Sequence, residues 1–241
     1  MALTGTSEVK SKPISEGPPQ PMKSSVKAAT ESRKKVRTRK IAVLASGRGT
    51  DFQAIVDAAE AGKVSYDVAL LICNEPKAFV IERAKKHSVP YVIISHKGRK
   101  REEFDMEIHR VLESAGIELV VLAGFMRILS DGFVDLWRDR IVNIHPALLP
   151  SFPGANAHRD ALEYGVKITG LTIHFVNETM DGGPVIFQYP VPLEDDDTEE
   201  TLSMRILEKE HEYYPLIIDK VVKGEYVRKG RRVISRLNYP G

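Results

Sequence analysis

The chain has 241 residues, 42% of them hydrophobic, which is enough for one sizeable core, and its net charge at neutral pH is +2. Its single cysteine, Cys73, excludes an internal disulfide, and no apolar run approaches the roughly 20 residues of a membrane span. Residues 1–40 carry ten basic and three acidic side chains, the remainder twenty-five basic and thirty acidic, so the body is mildly acidic and no nucleic-acid partner is expected.

Residues 1–37 are rich in Ser, Pro and Lys and lack apolar periodicity, so they read as a disordered basic tail ahead of one folded domain over 38–241. No secretory signal is present, which points to the cytoplasm; the acid-poor tail also admits an organelle transit peptide. From Lys40, short β-branched runs alternate with helical patterns. Strands are predicted at 40–46 (KIAVLAS), 67–74 (DVALLICN), 91–95 (YVIIS), 119–124 (LVVLAG) and 141–145 (IVNIH). Continuous apolar runs of this kind suit parallel strands buried on both faces. Helices are predicted at 51–62, 78–87, 101–116 and 130–137, with Asp51 and Ser130 as N-caps and Gly62 and Gly116 as stops. The alternation specifies a doubly wound α/β sheet whose ligand site lies outside the carboxyl ends of the strands.

After residue 165 the pattern changes. LTIHFV (171–176) and PVIFQYPVPL (184–193), joined by NETMDGG, are expected to add antiparallel strands. A final helix is predicted from near Asp197, with Glu200 as its capping-box partner, to about Val222, disturbed at Pro215. A small hairpin turning at Gly230 follows. The fold class is therefore α/β, doubly wound, with a mostly parallel sheet and antiparallel C-terminal strands.

Three stretches carry chemistry. SGRGTDFQ ends the first strand in a glycine-containing turn that opens a helix, where backbone N–H groups and the helix N-terminus attract an anion. It is neither GxGxxG nor GxxxxGK[ST], so a single phosphate fits better than a dinucleotide. In IVNIHP the two-residue period sends Asn143 and His145 to one face, and Pro146 stops the strand, leaving both at its rim. An amide donor beside an imidazole suits a reaction that develops an oxyanion and moves a proton. Asp181, followed by two glycines, is placed to orient that imidazole. His174 and His158 are further candidates, His174 reading more simply as a core residue. Cys73 lies among apolar residues and reads as a core thiol. No GxSxG nucleophile is present, and the histidines form no metal-binding pair, so no metal is expected.

Taken together, SGRGTDFQAI, LAGFMRIL, VNIHPALLPSFPG, HFVNETMDGGPVI and EHEYYPLII resemble the phosphoribosylglycinamide formyltransferase family, in order, from about Ile41 to Val222. The resemblance implies a Rossmann-type formyltransferase domain that transfers the formyl group of 10-formyltetrahydrofolate to the amine of glycinamide ribonucleotide in purine synthesis. It implies that His145, Asn143 and Asp181 are catalytic and that Gly49, Thr50, Asp51 and Glu210 hold the ribonucleotide. It further implies that Met126, Arg127, Ile128 and Leu129, with Asn143, line the pterin, that Arg101 meets the folate's glutamate tail, and that Leu149–Pro150 is a cis peptide. The partners would be these small molecules, with the chain a monomer or homodimer. One departure stands out: the family commonly has Asn where this chain has Asp51. A carboxylate there repels a phosphate unless it turns away to cap the helix or Arg48 compensates.

Three rival readings remain. A formyltetrahydrofolate hydrolase shares the Asn, His and Asp set but carries an extra N-terminal regulatory domain that residues 1–40 are too short and polar to form. Methionyl-tRNA formyltransferase needs a C-terminal RNA-binding domain, for which too few residues follow the last helix. A non-catalytic binding module with a basic tail has no need of all three polar side chains.

Overall fold

The apolar runs become the strands of one sheet. The computed structural model of the protein describes residues 38–235; the predicted tail at 1–37 lies outside them. In chain order the elements are β1 (Arg39–Ala45), α1 (Thr50–Glu60), β2 (Tyr66–Cys73), α2 (Val80–Lys86), β3 (Tyr91–Ile93), α3 (Arg101–Ser114), β4 (Leu119–Leu122), α4 (Asp131–Leu136) and β5 (Ile141–His145). They continue with α5 (Ala157–Tyr164), β6 (Ile168–Phe175), β7 (Val185–Pro192), α6 (Glu199–Val222), β8 (Tyr226–Lys229) and β9 (Arg232–Ser235).

The sheet order is β3-β2-β1-β4-β5-β6-β7. The first five strands are parallel, and β6 and β7 add antiparallel to β5. Strand order reverses between β1 and β4, so their carboxyl ends diverge into the crevice where doubly wound sheets place ligands. Alternation along β1 feeds two cores. Ile41, Val43 and Ala45 pack with α1, α2 and α6, while Ala42 and Leu44 pack with α3 and α4. Tyr214, fully buried on α6, donates its hydroxyl to Leu122 O at 2.8 Å and Val142 O at 3.2 Å, tying that helix to β4 and β5.

Helix stops at Gly62 and Gly116 hold, each glycine standing in the left-handed region just past its helix. Several starts are corrected. Gly49, not Asp51, occupies the N-cap of α1, because its φ of 69° lets the turn close before Thr50, and this places Asp51 inside the first turn. Ser130 does cap α4, but without a side-chain bond. Its N–H instead donates to Asp105 Oδ2 at 2.5 Å. The cap of α6 is Thr198, which exchanges bonds with Thr201. Asp197 is held back by Arg205, which reaches it with two N–H groups at 2.7 and 2.8 Å. Pro215 sits inside a helix that continues to Val222. The hairpin β8–β9 turns at Gly230 as predicted.

Candidate active site

The turn after β1 is held in place by α2. Val80 N–H donates to Gly47 O at 3.1 Å and Arg83 Nε to Arg48 O at 2.9 Å. A Cβ at Gly49 would stand 2.4 Å from Val80 Cγ2, so only glycine fits this left-handed corner. The first intrahelical bond of α1 runs from Gln53 N to Gly49 O, and no side chain caps the helix. The N–H groups of Thr50, Asp51 and Phe52 therefore have no intrahelical acceptor, and the positive end of α1 faces outward, an arrangement that receives an anion.

Glu210, 7% exposed on α6, faces Asp51. Asp51 Oδ1 is buried without a hydrogen-bond partner and lies 3.6 Å from His211 Nε2, which is also buried and unpartnered. Burial pushes the Asp51 carboxyl up to about 6. Burial, reinforced by the Asp51 charge, pushes Glu210 well above the ordinary carboxylate range. Asp51 thus neither caps the helix nor pairs with Arg48.

On the other side of β1, Ser46 Oγ donates to Asn74 Oδ1 at 2.6 Å and accepts from Met126 N at 2.8 Å. This fixes the start of the 126–129 segment against the end of β1. Met126, Arg127 and Ile128 are exposed and Leu129 is buried, so Leu129 offers a ligand its backbone alone. Arg101, exposed at the start of α3, sits near Asp105, whose carboxylate holds the Ser130 amide.

Asn143 and His145 project from the end of β5. His145 is 4% exposed; its Nε2–H donates to Phe152 O at 2.7 Å, and its Nδ1 stands 3.5 Å from Asp181 Oδ2. That gap exceeds a hydrogen bond, so Nδ1 remains able to exchange a proton with a substrate atom. Asp181 accepts from Gly154 N at 2.8 Å and lies 3.8 Å from His174 Nε2, between two imidazoles. Its own φ is 50°, and Phe152 has a φ of 52°, so two non-glycine residues of the site occupy the sparsely populated left-handed region. Gly183 follows because a Cβ there would lie 1.7 Å from Phe175 O. Leu149–Pro150 is cis.

Antiparallel register sets His174 opposite Asn143. Its Nδ1–H donates to Phe175 O at 2.9 Å, so Nε2 is the acceptor for Asn143 Nδ2 at 3.2 Å. Burial pushes this imidazole below its ordinary value, keeping it neutral in that role. The bond commits one N–H of Asn143 Nδ2 to His174 and leaves the second N–H to donate elsewhere.

Residues 39–218 match the family described as formyl transferase. The chain belongs to the formyl transferase family. Within it, the chain is 41% identical to the phosphoribosylglycinamide formyltransferase of Escherichia coli strain K12 over 185 residues, covering 76% of this chain and 87% of that one. A trifunctional purine biosynthetic protein adenosine-3 from Gallus gallus is 45% identical over 193 residues, covering 79% of this chain. The match spans about a fifth of that longer relative, 19% of its length. A crystal structure of glycinamide ribonucleotide transformylase 1 from Symbiobacterium toebii superposes with a TM-score of 0.80 at 41% identity, covering 82% of this chain and 94% of the other.

The fold brings Asn143, His145 and Asp181 together in one place, linked through His174, and Gly49, Thr50, Asp51 and Glu210 in another. His174, read from the sequence as a core residue, is Asn143's orienting partner. The Phe152 carbonyl acts through the backbone and leaves no signal in residue type, while His211 stands within the EHEYYPLII stretch and only the packing of α6 on α1 shows its place beside Asp51. Among the described residues, one group with metal-ligand chemistry, Asp57, Glu60 and His87, brings its ligand atoms within 4.8 Å of one another. It lies on α1 and α2, and His87 already bonds Glu60 at 2.9 Å and Gln53 at 2.7 Å.

Proposed function

We propose that the chain is a phosphoribosylglycinamide formyltransferase, passing the formyl group of 10-formyltetrahydrofolate to the amine of glycinamide ribonucleotide in purine biosynthesis. The observation that carries this reading is the Asn143–His145–Asp181 arrangement at the switch edge, with a donor-lined anion cradle at Gly49–Phe52 beside it. The substrate amine attacks the formyl carbon, forming a C–N bond and a tetrahedral oxyanion. The bond to folate N10 then breaks, and a proton passes from the amine to N10. No protein nucleophile is required; the site positions the two substrates and stabilises the oxyanion.

Asn143, its amide oriented by His174, donates to that oxyanion. His145, held by the Phe152 carbonyl, has Nδ1 turned toward Asp181, where it shares the oxyanion and the proton transfer. The ribonucleotide phosphate rests on the free amides of Thr50, Asp51 and Phe52, with Glu210 on its ribose side. The pterin lies along Met126–Leu129, reading backbone groups tied down through Ser46, and the glutamate tail reaches Arg101. The described residues, 38–235, form one such domain, acting in the cytoplasm. No helix among the described residues is long and apolar enough to cross a membrane.

Replacement of His145 by Ala tests the assignment. The variant is expected to lose formyl transfer by orders of magnitude while retaining ribonucleotide binding at the distinct cradle. Near-normal turnover refutes it.

A further inference from the structure

A carboxylate at Asp51 presents a contradiction that the surrounding groups resolve. The cradle it belongs to consists of N–H donors, suited to a phosphate whose oxygens accept hydrogen bonds and carry close to two negative charges. An asparagine at this position adds a donor; an ionised aspartate adds only acceptors and a like charge. Among the described residues no Arg or Lys forms an ion pair with Asp51 or with Glu210. Glu210 is itself 7% exposed, and the Asp51 charge acts on it. Two carboxyls buried together without a cation cannot both ionise readily.

We propose that Asp51 and Glu210 hold one proton between them at neutral pH, and that the Asp51 carboxyl meets the ribonucleotide phosphate as a hydrogen-bond donor, so that binding takes up a proton wherever the pair has lost it. The proposal rests on the ribonucleotide reading of this site. His211 Nε2 lies 3.6 Å from Asp51 Oδ1, buried and unpartnered like it, and this imidazole, pushed below its ordinary value by burial, brings no compensating charge to the pair.

The other groups around the pair do not supply the proton. From α6, His211 is pushed below its ordinary value, by burial first and then by Arg83 of α2, with Asp57 of α1 opposing. Tyr214 of α6 and Tyr66 of β2 are pushed up by burial and stay neutral. The carboxyl pair is what remains to exchange a proton near neutrality.

Glycinamide ribonucleotide is the probe. Its binding is followed by titration calorimetry from pH 6 to 9, in two buffers of different ionisation enthalpy, for the wild type, Asp51→Asn and Glu210→Gln. The ligand titrates identically in all three, so differences between proteins report the pair. The wild type is expected to take up more protons than Asp51→Asn in the alkaline range. Its affinity should fall relative to that variant by up to about tenfold per pH unit once the pair's last proton is lost. In Glu210→Gln the fall should begin at lower pH, because Asp51 no longer faces a second charge. Identical proton uptake and parallel pH profiles in wild type and Asp51→Asn overturn the proposal. Absence of ribonucleotide binding by the wild type and Asp51→Asn at every pH overturns the ribonucleotide reading itself, and the proposal with it.

Discussion

Replacing His174 by Leu separates orientation of the oxyanion donor from its presence. His174 is 2% exposed and makes two bonds, donating to Phe175 O at 2.9 Å and accepting from Asn143 Nδ2 at 3.2 Å. Leucine leaves the buried Phe175 carbonyl without this donor, at a cost of about 1–3 kcal/mol. For a domain of this size, each kcal/mol lowers Tm by roughly 2–4 °C. Asn143 is only partly buried, so its freed amide turns toward water rather than staying unsatisfied. Outright loss of an oxyanion donor costs about 10²–10³ in kcat, and that is the ceiling. A freely rotating amide should lose about tenfold to a hundredfold. Steady-state kinetics with each substrate varied should show the loss in kcat, with both KM values within a few-fold of wild type. His174→Gln, which keeps an acceptor, should recover part of it. A folded His174→Leu enzyme with kcat within about threefold of wild type refutes the orienting role.

Three further predictions concern the cradle and the start of α6. An Asp51 carboxyl at about 6 in the fold against an ordinary 3.8 costs the folded state about 3 kcal/mol once ionised. Because the folded value is raised, the relative stability is full below pH about 4 and lost as pH rises through about 6. Asp51→Asn should therefore gain on the wild type across that window in denaturant unfolding, and an unchanged difference between pH 4 and pH 8 contradicts it. Gly49→Ala should raise the ribonucleotide KM at least tenfold and lower Tm, since its Cβ would meet Val80 Cγ2 at 2.4 Å in a left-handed corner; normal kinetics would show that the corner relaxes freely. Asp197 is held below the ordinary carboxylate value, chiefly by its bonds from Arg205. Its contribution is present above pH about 4 and lost as pH falls below it, so Asp197→Asn should destabilise the protein at neutral pH and differ less in acid. Thermal unfolding at pH 7 and pH 3 reads this, and an equal deficit at both refutes it.

The five parallel strands were legible because each lies in a continuous apolar run bounded by turn residues, and Asn143 and His145 because a period of two is unambiguous over IVNIHP. What lies between elements was less so. Helix α5 passed unpredicted, since AHRDALEY buries only Ala157 and Ala161 and leaves no apolar stripe to detect. Asp51 was assigned to a cap on residue type, but the left-handed conformation of Gly49 starts the helix earlier and swings the aspartate inward. Asp197 and Glu200 offered plausible capping chemistry, yet Arg205, one helical turn beyond the true cap box, claims Asp197 first. His174 reads as a core residue in isolation. Only the pairing of β5 with β6, set by the antiparallel register, shows that it faces Asn143.

The central claim is tested most directly by following tetrahydrofolate production from 10-formyltetrahydrofolate with and without glycinamide ribonucleotide. The account predicts turnover that depends strictly on the ribonucleotide, with one formylated product per folate released. Turnover at the same rate without the ribonucleotide would mean that water takes the formyl group, and would contradict it.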